Sequence, residues 1–229
     1  MKVSTRITQA GFAESPAAMA STACNKQNNS SFKRWLSVGF LVMMIFASIN
    51  SSGQLLQWNT FGNAGTETTE PSVFNNTNIA AANLTQGTIT AAGNSNRFGG
   101  SGWFNTGNSN PNTLANAVAG NDYIQFIVTP NVGFSFTPTT FNFIWDRSGT
   151  GPSSVTLRSS ADGFAADLGT LTGLTASTTT VRTITISGLT NLATATTFRL
   201  YGYGATATTG TCGFDCASSL VNVELLGTT

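Results

Sequence analysis

Histidine is absent from this 229-residue chain, and no lysine occurs after Lys33. Without an imidazole there is no Ser-His-Asp relay and no side chain that ordinarily titrates near neutrality. Without lysine, residues 54–229 hold no Schiff-base nucleophile. Zinc is disfavoured too, because a tetrahedral site wants four ligands and only Cys212 and Cys216 offer sulfur after residue 53. Charge is scarce at 8% of the chain, against roughly 25% in an average soluble protein. Residues 54–229 carry five arginines and eight acids, a balance of −3. Five scattered cations cannot neutralise many phosphates, so a basic nucleic-acid surface is excluded. Thr, Ser, Asn and Gly take the place of the residues on which helical domains lean. No eleven-residue window keeps a 3.6 period, and only residues 112–118 (NTLANAV) read as a turn or two of helix.

The one long apolar run lies near the start. Lys33-Arg34 precede residues 35–49 (WLSVGFLVMMIFASI), the charge-then-apolar order of a secretory signal. A spanning helix needs roughly 20 apolar residues; this run is shorter and is broken by Ser37 and Gly39. A signal is therefore favoured over an N-terminal anchor. Small residues at Ser51 and Gly53 suit cleavage before Gln54, and no Cys follows the run to carry a lipid. Met19 offers an alternative start. Residues 1–53 are thus read as a leader and residues 54–229 as one domain, secreted or on the cell surface, with no membrane partner after cleavage. In an oxidising compartment Cys212 and Cys216 are expected to pair. The closed loop is short, so the bond would contribute only about 2 kcal/mol on the loop-entropy account. The alternative is two unpaired thiols.

Strand signals recur through residues 54–229, separated by Gly, Asn and Pro. Residues 55–61 open the series, and residues 123–128 (YIQFIV) are β-branched and aromatic, stopped by Pro130. Phe141, Phe143 and Trp145 alternate with Asn142, Ile144 and Asp146. The same period of two recurs at Val155/Leu157, Ile184/Ile186, Phe198/Leu200 and Val221/Val223/Leu225. One apolar and one polar face is the antiparallel pattern. Eight to ten short strands of this kind predict an all-β, antiparallel two-sheet sandwich. Residues 62–116 are looser, with short strands expected at residues 85–90 and 102–104. The glycine-rich residues 97–102 (RFGGSG) lack the lysine of a phosphate loop and read as a plain loop.

An ordered set of short segments adds a resemblance: ANLTQG from Ala82, SGW from Ser101, DYIQFIVTP from Asp122, RSGTGP from Arg147, LRSSADGF from Leu157, FRLYGYG from Phe198 and NVELLG from Asn222. Together they resemble a jelly-roll-like β-sandwich module of exported, often multidomain proteins of Bacteroidota. The resemblance implies a structural or adhesive role and carries no catalytic signature. This chain departs from that pattern by ending at Thr229, directly after the last predicted strand.

Candidate sites follow from residue chemistry. Tyr201 and Tyr203 alternate with Gly202 and Gly204, which on a strand would set two rings roughly 6.8 Å apart on one face. Such a pair, with Trp103 second, is a stacking platform for sugar rings; packing within the sheet is the competing reading. Arg147 and Arg158 flank the loop at residues 148–152 as a polar rim able to pair with Asp146 or Asp162. Asp162 and Asp167 could supply oxygens to a calcium ion, although the spacing is not that of a dedicated loop. The acids Glu67, Glu70, Asp122, Asp146, Asp162, Asp167, Asp215 and Glu224 are the only material for general acid–base work, as in glycoside hydrolysis. Trp58, Phe143 and Trp145 are expected in the core. The reading that follows is a non-catalytic structural or adhesive module. The alternatives are a carbohydrate-binding module, whose partner would be a polysaccharide or another cell-surface component, and a glycoside-directed enzyme domain.

Overall fold

The computed structural model describes residues 53–177, 179–219 and 223–229; the leader with its apolar run, apart from Gly53, and Val221 lie outside the described residues. Fourteen strands occur among them. In chain order they are β1 (Gly53–Trp58), β2 (Thr69–Pro71), β3 (Phe74–Asn75), β4 (Asn83–Gln86), β5 (Thr90–Ala91), β6 (Arg97–Ser101) and β7 (Tyr123–Val128). Then come β8 (Thr137–Arg147), β9 (Ser154–Ser159), β10 (Gly169–Leu171), β11 (Val181–Thr185), β12 (Thr196–Tyr203), β13 (Cys212–Asp215) and β14 (Val223–Thr228). One helix, α1 (Leu114–Gly120), stands between β6 and β7.

The strands build two antiparallel sheets packed as a sandwich. One has eight strands in the order β3-β1-β14-β8-β13-β6-β5, with β11 also on β8; the other has six, in the order β10-β9-β12-β7-β4-β2. Consecutive strands mostly change sheet, so both sheets are held by the same core. Along β8 Phe141, Phe143 and Trp145 are fully buried and Asn142 and Asp146 are not, as expected, but Ile144, on the opposite face, is buried as well. From the facing sheet Phe126 and Phe198 stack with centroids 5.3 Å apart, and Phe126 reaches Trp58 at 5.0 Å and Phe141 at 5.2 Å. Phe214 packs against Phe141, Phe143 and Trp145. Each such pair adds about 0.5–1.5 kcal/mol beyond the area it buries.

Three expectations change. Residues 97–101 are a strand, not a loop. A side chain at Gly99 would strike the Cys212 carbonyl, and one at Gly100 the Thr90 carbonyl. These glycines mark close strand approach between β6 and its neighbours β13 and β5. Residues 102–104 form no strand; there the chain turns Trp103 inward. The helix begins two residues later than expected, because Thr113 caps it. The Thr113 hydroxyl accepts from the Asn116 amide, the Asn116 side chain accepts from the Thr113 amide, and Asn121 ends the helix in the left-handed region.

The disulfide is not formed. Cys212 and Cys216 are both free and buried. Cys212 opens β13, and four residues of extended chain separate Cα atoms by about 13 Å, whereas a disulfide needs roughly 4.4–6.8 Å. Cys212 instead joins the apolar core beside Phe214. Burial pushes both thiols up, Cys212 well above the usual thiol range. Among the described residues no helix is long and apolar enough to cross a membrane.

Candidate functional site

The outer face of the six-stranded sheet is organised in rows, because directly paired residues of antiparallel strands share a face. One row runs Thr69–Thr85–Gln125–Arg199–Arg158, from β2 through β4, β7 and β12 to β9. It is wholly polar and crosses four inter-strand gaps, about 19 Å. Beside it Asn83, Thr85, Ile127 and Thr129, with Ala81 and Ala82, line an open groove of about 300 Å³. That is the small end of the range for ligand sites. Ile127 is an exposed apolar residue on its floor.

Arg199 sits in the polar row between Gln125 and Arg158. Its guanidinium carbon lies 4.3 Å from the Tyr123 ring centroid and 4.1 Å from that of Phe164. Its Nε donates to Gln125 Oε1 at 3.1 Å. Each such ring contact is worth about 0.5–1 kcal/mol at an exposed site and more when dry. No acid among the described residues pairs with Arg199.

The residues expected to hold calcium or to form a rim build the wall of this site instead. Arg158 Nε meets Asp167 Oδ1 at 2.7 Å, and Arg158 Nη1 donates to the Phe164 carbonyl at 3.1 Å. The Asp162 carboxylate accepts from the Ala165 and Ala166 amides at 3.2 and 2.8 Å. These bonds, the Ala166 amide foremost, hold its pKa below the usual carboxylate value. The loop so clamped keeps Phe164 at φ 63°, a left-handed conformation unusual for a bulky residue, with its ring on Arg199. Both Asp162 carboxylate oxygens and Asp167 Oδ1 thus already have partners, and the described residues hold no group of three or more His, Cys, Asp or Glu able to bind a metal.

The other expected site residues are not brought together. Arg147 folds back on its own loop, donating to the Gly149 and Gly151 carbonyls at 2.6–3.0 Å. Trp103 is fully buried, its Nε1 donating to the Gly100 carbonyl at 2.8 Å and its ring meeting Trp145 edge to face. Tyr201 is buried under α1 against Ala117 and Tyr123, and Tyr203 packs half-buried at the margin of that cluster. The open two-ring platform is therefore absent: a short helix covers the rings. Sequence reasoning missed Arg199, Gln125 and Phe164. The available signal was an arginine on the polar side of an apolar strand, aligned with Gln125 only by register.

A second polar cluster lies on the outer face of the eight-stranded sheet. Arg97 and Asp215 are paired positions of β6 and β13, and Asp146 stands on β8 beside them. Arg97 Nη1 lies 3.8 Å from Asp146 Oδ2 and 3.4 Å from the Thr211 hydroxyl. Burial, then the Asp146 charge, push Asp215 up to about 6 against the pull of Arg97. Burial likewise raises Glu70, which accepts from Asn63 Nδ2 at 2.6 Å. Arg97, Asp215 and Glu70 are all nearly inaccessible, so Asp215 has a raised pKa without the exposure that acid–base work requires. No family model and no curated protein matches the chain.

Proposed function

We propose that residues 54–229 are a non-catalytic adhesive module of an exported bacterial protein, akin to the sandwich modules of Bacteroidota surface proteins. The outer face of the six-stranded sheet is its contact surface, and a polysaccharide its partner. The observation that carries this reading is the five-strand polar row that includes Arg199, alongside the groove at Asn83 and Ile127. A flat lattice of hydroxyls, amides and one stacked cation, next to an apolar floor, suits a polymer that presents hydroxyls and apolar ring faces together. Support for a non-catalytic role comes from the missing histidine and lysine and from the burial of Asp215 beside Arg97. The packing of Trp103 and Tyr201 favours a second reading, a purely structural spacer.

Retention on a panel of insoluble and immobilised polysaccharides, with release of reducing ends measured in parallel, tests this. Binding without release is expected. Release of reducing ends would replace the proposal with the glycosidase reading, and failure to bind any polysaccharide would leave the spacer.

A further inference from the structure

Two arginines face each other on this sheet, and only one is neutralised. Arg158 and Arg199 are directly paired positions of β9 and β12. Like charges so placed oppose folding unless something offsets them. Asp167 offsets Arg158 at 2.7 Å. Arg199 has two ring faces and the carbonyl oxygen of Gln125, none of which carries a full negative charge. Both rings lie within 4.3 Å of its guanidinium carbon and restrict its position. Nε is taken by Gln125, while the described contacts leave Nη1 and Nη2 without an acceptor. A guanidinium held at Nε and against two rings, with two N–H-bearing nitrogens unused, matches the two oxygens of a carboxylate.

We propose that Arg199 is an anion site and that the polysaccharide held on this face is acidic, its uronate carboxylates taken in turn by the Arg199 fork. This rests on the adhesive reading above and narrows it to a substrate class. Gln125 and Phe164 are positioning residues: one fixes the Nε edge, the other packs its ring on the cation. Thr85 and Thr69, along the same row, meet hydroxyls of the neighbouring sugar units.

The test uses the full chain and three soluble probes: polygalacturonate, dextran sulfate and unmodified dextran, together with the neutral members of the polysaccharide panel. Polygalacturonate should bind best, and more weakly as salt rises. Arg199→Gln should weaken that binding tenfold or more. Gln125→Glu sets a carboxylate beside Arg199 and neutralises it with both rings in place; it should weaken binding by a similar factor and leave the melting temperature at or above that of the parent. Because this variant keeps every packed group, a loss of binding in it cannot be a loss of folding. Retention of a neutral polysaccharide that neither variant alters would overturn the anion site and leave the adhesive module standing. A preference for dextran sulfate that depends on Arg199 would overturn the uronate assignment in favour of sulfate esters. Binding to no polysaccharide of either class would overturn both readings.

Discussion

Gly202 lies against the ring of Trp103: a Cβ at that position would stand 2.6 Å from Trp103 Cζ3 and 2.7 Å from Cε3. The glycine between two tyrosines therefore serves the interior. It lets β12 pass over a buried tryptophan whose own place is set by its bond to Gly100 and by Trp145. Gly202→Ala should cost about 1–3 kcal/mol or more, the range for overpacking a filled core. The ring cannot retreat without disturbing Trp145, so urea unfolding should show a lower midpoint with an unchanged slope. A neutral result would mean that the Trp103 ring is free to move.

Tyr201 and Tyr203 should separate sharply when each is truncated. Tyr201 is fully buried edge-on to Tyr123 at 5.4 Å, so Tyr201→Ala should cost about 3–5 kcal/mol by the large-to-small rule. Tyr203 is only half-buried and should cost less than about half of that. Equal and small losses in thermal unfolding would return both rings to the surface.

Stability should fall as pH rises from about 4 to about 6. Asp215 ionises ordinarily near 3.8 in the unfolded chain and at about 6 when folded. In that window the folded protein holds a proton that the unfolded chain has released, so folding is favoured at the acid end and the advantage disappears above the folded pKa. Glu70 and Asp122 are also raised by burial and act in the same direction. The groups facing Asp215 are Asp146, Arg97 and the Cys216 thiol. Asp215→Asn should flatten the profile and raise stability at pH 7 by about 1–3 kcal/mol. Urea midpoints that climb from pH 4 to pH 7 in the parent would contradict this.

Cys212 and Cys216 should remain thiols in the purified protein. Both are buried, and burial raises both above the ordinary thiol range, so a thiol reagent should label neither in the folded state. Under denaturing, non-reducing conditions both should react. Two residues that stay unreactive until a reductant is added would show that the strand opens far enough to let them pair.

The strands that could be read directly from the residues were those with a polar face open to solvent. β7, β8 and β12 alternate over most of their length because one side meets the core and the other does not, and the chain writes that difference every second residue; β9 carries the same alternation of residue types although its Ser154 and Thr156 are buried as well. β6 and β13 were illegible for the opposite reason. Both of their faces are covered, and their glycines answer to the carbonyls of a neighbouring strand. The candidate site divides in the same way. Asp162, Asp167 and Arg158 were singled out by charge, but as separate possibilities; only the loop that they clamp shows what they position.

Composition by itself settled that residues 54–229 are a β domain without imidazole or lysine chemistry, since a side chain that is not encoded cannot be supplied by folding. Local alternation settled the face of each half-exposed strand. Tertiary structure decided the rest: that α1 covers Tyr201, that Trp103 occupies the space beside Gly202, that Cys212 and Cys216 stand too far apart to bond, and that Arg199 meets Gln125, Tyr123 and Phe164. The physical reason is register. Which residues become neighbours across strands distant in the chain is fixed by how the sheets pair, and a shift of one position would turn Arg199 into the core and Leu200 out to solvent.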